Sequence, residues 1–169
     1  MPVIDAILRE FDQEAVTTRR ILERVPNDKL AWKPHAKSMS LGELALHIAA
    51  SPGVIIDWVP PAVTDLPGGA PTPQPASVSD ILTAHEQAVS KVKTILTRIG
   101  DAGLSGTSEI KMKGATLMTM PKMDLLRSIV LNHWVHHRGQ LSVYLRLLDV
   151  SVPPIYGPSA DENPFAARK

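Results

Sequence analysis

The sequence predicts an all-α fold: a four-helix bundle with a long Pro-rich loop, in a single domain covering residues 1–169. Three observations point there. Apolar residues recur at the 3.6-residue helical period in four separate stretches. Strand-like patterning is confined to one short stretch ahead of the last helix. The chain, 169 residues long and 44% hydrophobic, can bury a core without staples.

The first helix is expected over residues 3–25, where Ile4, Ile7, Leu8, Phe11, Ala15, Leu22 and Val25 form one stripe and Pro26-Asn27 stop it. A second starts near residue 41, because Ser40 and Glu43 fit a capping box ahead of Leu41, Leu44 and Ile48. Pro52 has no N–H and clashes with the carbonyl of residue 48, so this helix either ends near Ala50 or kinks and runs on to Trp58. Residues 59–77 hold six prolines and the pair Gly68-Gly69. No periodicity survives there, and the segment reads either as a passive linker or as a lid over a site.

A third helix is expected over residues 78–99, capped by Ser77 with Asp80 and ended by Gly100 and Gly103. "SEIKMKGATLMTM" reads as a small hairpin turning at Lys113-Gly114. The fourth and longest helix covers residues 121–149, opening on Pro121 and presenting Leu125, Leu126, Ile129, Val130, Trp134, Leu141, Tyr144, Leu145 and Leu148. The tail, "SVPPIYGPSADENPFAARK", has four prolines and no helical pattern.

Composition excludes several functions. With 18 Lys+Arg against 17 Asp+Glu there is no basic stripe for nucleic acid, and two Phe, two Tyr and three Trp make no stacking platform. No run of 18 apolar residues is present to span a membrane, and the first twenty residues do not read as a signal peptide, so a cytoplasmic location is the default expectation. Cysteine is absent, so a metal would have to sit on nitrogen and oxygen, and any thiol chemistry would use a thiol carried by a substrate. There is no G-x-S-x-G elbow and no phosphate-binding loop.

Three of the six histidines fall within "HWVHH". His133 and His137, four apart on a helix, put their imidazoles on one face with roughly 5–6 Å between Cβ atoms. That face borders the apolar stripe of Trp134, Leu141 and Tyr144, so the pair points toward the bundle interior, where such folds build metal sites. Core histidines held by hydrogen bonds are the plainer alternative. Two ligands hold a metal poorly. His47, beside Leu44 and Ile48 on another helix, is the preferred third ligand, and His85, on the stripe of the third helix, is its competitor. His136 is rotated off the pair, and His35 lies in a loop. The H-E-x-x-H protease pattern is excluded, because Trp134 occupies the glutamate's position, directly after the first histidine, and no carboxylate shares that turn.

The chain resembles the DinB-like family and the wider group of YfiT-like and thiol-dependent transferases. The resemblance covers most of the chain and rests on three stretches in order: "LAWKPHAKSMSLGELALHIA", "LNHWVHHRGQLSVYLRLL" and "VPPIYGPSADE". It implies a four-helix bundle, a homodimer, and one divalent transition metal (Zn2+ or Ni2+) on His47, His133 and His137. Gly139 reads as a point of close approach or a tolerated helix glycine. Arg138 and Gln140 would orient ligands, or Arg138 would form a surface salt bridge with Asp161 or Glu162. Glu43 is one turn from His47, but capping explains it better than catalysis.

Three neutral imidazoles and an open position are the pattern of a catalytic centre. The expected function is a metal-dependent enzyme acting on a small molecule, either a thiol-dependent transferase with a low-molecular-weight thiol substrate or a hydrolase. A stress-related binding or scaffold bundle, with a structural metal or none, is the non-enzymatic alternative.

Overall fold

A computed structural model describes residues 2–69 and 72–166. Helix α1 (Val3–Leu22) buries Ile4, Ile7, Phe11, Ala15, Thr18, Ile21 and Leu22. Its first amides are satisfied from a distance: the Asp101 carboxylate accepts from Val3 N at 3.0 Å and from Ile4 N at 2.8 Å, where an isolated helix start would leave orphan donors. Helix α2 (Leu41–Ile55) begins at the expected capping box, with Glu43 N donating to Ser40 Oγ at 3.1 Å and Ser40 N to the Glu43 carboxylate at 2.6 Å.

Pro52 does not end α2. The chain stays helical to Ile55 and continues as a 3-10 turn, Ile56–Trp58. Gly53 lets α2 approach helix α3 (Val78–Gly103): a Cβ there would sit 2.9 Å from both Cα and Cβ of Ala88. Helix α3 starts at the Ser77–Asp80 capping box and leaves regular helix at Gly100, whose φ of 56° only glycine adopts easily.

The all-α expectation is corrected by a three-stranded sheet of order β1-β2-β3. Strands β2 (Thr107–Met112) and β3 (Ala115–Pro121) form the expected hairpin, turning through Lys113 and Gly114 with φ of 52° and 81°. Strand β1 (Val63–Leu66) falls inside the Pro-rich stretch and pairs parallel with β2, Val63 opposite Glu109 and Leu66 opposite Met112. The six prolines of this stretch all lie outside the strand, two before it and four after it, leaving its four residues free to join a ladder. The buried Ser108 hydroxyl donates to Pro61 O at 3.2 Å and the Asp65 carboxylate accepts from Gly114 N at 3.1 Å, tying this edge down.

The last helical rod has three parts: α4 (Lys122–Leu125), a π-helical stretch (Leu126–Asn132) and α5 (His133–Leu147). The residues at both junctions keep α-helical dihedrals, so the rod is continuous, as the sequence predicts. The wide π turn was not predicted. Such turns concentrate at functional sites, and this one ends at His133. The core is one cluster gathering Phe11, Ile21 and Leu22 from α1, Leu44 and Ile48 from α2, Ile81 and Leu96 from α3, Ile110 from β2, and Trp134 and Leu141 from α5. Among the described residues, no helix is long and apolar enough to cross a membrane.

Candidate metal centre

Helices α2 and α5 meet through a contact that the sequence itself creates. Pro52 has no N–H to give the Ile48 carbonyl four residues earlier, so that carbonyl is open inside α2. The buried Trp134 indole donates to it at 2.8 Å. Trp134 also stacks on Phe11, with ring centroids 5.2 Å apart. Ile48 follows His47 in the chain and Trp134 follows His133, so this hydrogen bond registers the two histidine-bearing helices against each other.

The result is a cluster of three imidazoles. His133 Nε2 lies 2.9 Å from His137 Nε2 and 3.5 Å from His47 Nε2. One ligand nitrogen from each ring lies within 4.8 Å of the other two. The rings are nearly perpendicular, with centroids 4.4–5.2 Å apart. Two nitrogens each about 2.0–2.1 Å from a tetrahedral ion are separated by about 3.3 Å, which the two Nε2 separations bracket. These three histidines can hold one metal ion.

Electrostatics favour the ligand form. Burial pushes the pKa of His133 down to about 4, helped by His137, His47 and His136. Burial likewise lowers His47, with His137 adding to it. It lowers His137 against the opposing pull of Gln140. All three are therefore neutral near pH 7, and a neutral imidazole is what a metal needs. His137 Nδ1 donates to Gln140 Oε1 at 2.8 Å, leaving the Nε2 lone pair facing the cluster. Gln140 thus orients the His137 ring. His133 Nδ1 is buried without a protein partner.

The competitor, His85, is elsewhere. It is buried on α3, with its Nε2 3.1 Å from Ala15 O and its ring 5.8 Å from Trp134, and is a core histidine bonded to α1. His136 touches the edge of His137 at a centroid distance of 4.9 Å. His35 Nδ1 accepts from Lys37 N in its loop, at 3.1 Å. Glu43 caps α2 and pairs with Lys33 at 3.5 Å. Gly139 has open space around it, so no close approach within the chain explains it.

Arg138 departs from expectation. It is no surface residue: only 1% exposed, it pairs with Glu14 of α1 and donates to Thr18 Oγ1 and to the Tyr156 hydroxyl, whose ring it also faces at 5.1 Å. Asp161 pairs instead with Arg146, and Glu162 with Arg20 and Arg24. No local signal in the sequence points from Arg138 to Glu14, 124 residues away. The sequence did carry one for Trp134, since an internal helix proline always frees a carbonyl four residues back.

Comparison with known proteins gives the family and the fold. The DinB family model matches residues 1–164. The chain belongs to the DinB family. The Bacillus subtilis (strain 168) protein YrdA is 31% identical over 163 residues, covering 94% of this chain and 91% of YrdA. The crystal structure of a DinB-like protein from Bacillus cereus ATCC 10987 superposes with a TM-score of 0.72 at 23% identity, over 90% of this chain and 97% of that one. The DinB-like protein YjoA from Bacillus subtilis gives 0.69 at 22%, over 89% and 96%. At these identities the two structures speak for the fold, and the DinB-like fold includes the helical bundle that carries the histidines here.

Proposed function

We propose that His47, His133 and His137 bind one divalent transition metal, zinc or nickel, and that the chain is a metal-dependent enzyme acting on a small molecule. The observation that carries this reading is the convergence of the three imidazole nitrogens from two helices. Family membership supports it. An ion held by three neutral ligands keeps its full charge and an open position, where it would lower the pKa of a bound thiol or water.

The chain's own residues favour a thiol. His47 and His133 border a pocket of about 720 Å³. Among its described lining residues there is no Asp, Glu, Lys or Arg to take a proton from water. A thiol, with an ordinary pKa near 8.5, needs no such base. Thiol-dependent transfer is therefore the favoured reaction, and hydrolysis the second. Burial of the histidines keeps them unprotonated, the Trp134–Ile48 bond holds the helices in register, and Gln140 fixes the His137 ring.

The test is elemental analysis by mass spectrometry on protein purified without a histidine tag. We expect about one equivalent of a transition metal, lost in both His47→Ala and His137→Ala. Cobalt-loaded protein should change its visible spectrum with a small thiol and not with an ester. Wild-type protein that takes up neither zinc nor nickel near neutral pH would leave these histidines as core residues and the chain as a binding bundle.

A further inference from the structure

The pocket beside the histidines has a chemical character of its own. One wall is the end of α2 and the turn after it, carrying Val54 and Trp58. The others come from β1, β2 and the π-helical stretch, through Leu66, Met112 and Ile129. None of these five side chains is fully buried, and Val54 is 56% exposed. Apolar side chains left partly in water around a concavity lose their hydration cost only when something apolar fills it. The volume, about 720 Å³, suits a drug-sized molecule. The only hydroxyls in the described lining are Ser51 and Thr72, and no ionised side chain is there to meet a carboxylate, a phosphate or an ammonium group.

Described residues of the Pro-rich segment contribute to the wall. Pro67 and Pro73 line the pocket, and the segment is anchored at both ends. β1 holds it on the sheet, and Gln74 Oε1 accepts from the buried Ser40 hydroxyl at 2.7 Å. The two roles expected for this segment are a passive linker and a lid over a site, and the place of Pro67 and Pro73 in the lining favours a role at the site.

We propose that this pocket binds the neutral, apolar body of the substrate, an aryl or branched alkyl group, and selects against molecules carrying several anionic groups. The reacting head of that molecule would lie at the three histidines, a placement that rests on the metal-site reading above. Recognition of the body does not. It depends on shape and desolvation, and an anionic group seated against the apolar walls, away from the histidines, would lose its hydration with no charged side chain in the described lining to compensate.

The experiment uses N-phenyl-1-naphthylamine, a neutral probe whose fluorescence rises in an apolar site, on the full chain with and without zinc. Binding is expected in both states. Val54→Glu places a carboxylate in the wall at an exposed position and should weaken the probe at least about tenfold, with the melting curve and zinc content unchanged. Benzyl mercaptan should displace the probe, and mercaptosuccinate, a dianion at neutral pH, should not at a hundredfold higher concentration. Equal probe affinity in wild type and Val54→Glu, or displacement by mercaptosuccinate as readily as by benzyl mercaptan, would overturn the proposal. Probe binding without zinc uptake would uphold the pocket and sink only the metal site.

Discussion

Imidazoles that are half-buried and crowded resist protonation, because burial and every neighbouring positive charge disfavour the cation. His133 is the extreme case, pushed down to about 4. His47, His137 and His85 are also lowered, with burial the first cause in each. A base whose folded pKa lies below its unfolded value carries fewer protons when folded, so stability rises with pH. In metal-free protein this contribution is complete above the ordinary histidine value of 6.5, and for His133 it drains away from there down to about 4. Melting temperatures of chelator-treated protein should therefore fall as pH drops from about 7.5 to about 5, and His133→Gln should flatten the slope. A wild-type slope no steeper than the variant's would mean that the cluster is more hydrated than its geometry implies.

Between elements, the site depends on how α2 is punctuated. Pro52 opens a carbonyl, Trp134 fills it, and Gly53 lets α3 close on the same turn. Trp134→Phe would keep most of the packing but orphan the buried Ile48 carbonyl, costing about 1–3 kcal/mol. It should also weaken zinc binding, measured by competition with a chelator, because His47 and His133 lose their register. Gly53→Ala drives a methyl into the Ala88 backbone, and overpacking of this kind costs about 1–3 kcal/mol. Urea titration should give that loss with an unchanged m-value. The helices were legible in the sequence because their stripes are long and their caps local. Strand β1 was not: its four residues pair with a strand more than forty positions later, and its Pro-rich surroundings mask it. The π-helical stretch left no trace either, since Leu126, Val130 and Trp134 fit an ordinary helical stripe. His47 and His85 both sit on apolar helix faces, and only the packing of α3 against α1 decides between them, by giving His85 the Ala15 carbonyl.

On the scale of the whole molecule, the two ends of the chain are bound together next to the site. Arg138 follows His137 and reaches across to Glu14 on α1, while Tyr156 brings the tail to the same point, its hydroxyl 2.9 Å from the Glu14 carboxylate. Asp161 adds a second tie, accepting from Val152 N at 2.8 Å and pairing with Arg146. With Arg138 1% exposed and Glu14 14%, the pair lies out of water, where removing one partner strands a charge. Glu14→Ala should therefore cost about 3–5 kcal/mol, far beyond the 0–1 kcal/mol of a surface pair. For a chain of this size that lowers the melting temperature by roughly 6–20 °C. Arg19→Ala, which breaks the exposed pairs with Glu23 and Glu86, is the control and should move it little. If α1 and the tail also hold α5 in place, Glu14→Ala will weaken zinc binding well below its own melting transition, whereas Arg19→Ala will not. Equal zinc affinity in the two variants would confine the Arg138 pair to stability and leave the Trp134–Ile48 bond as the element that sets the histidine geometry.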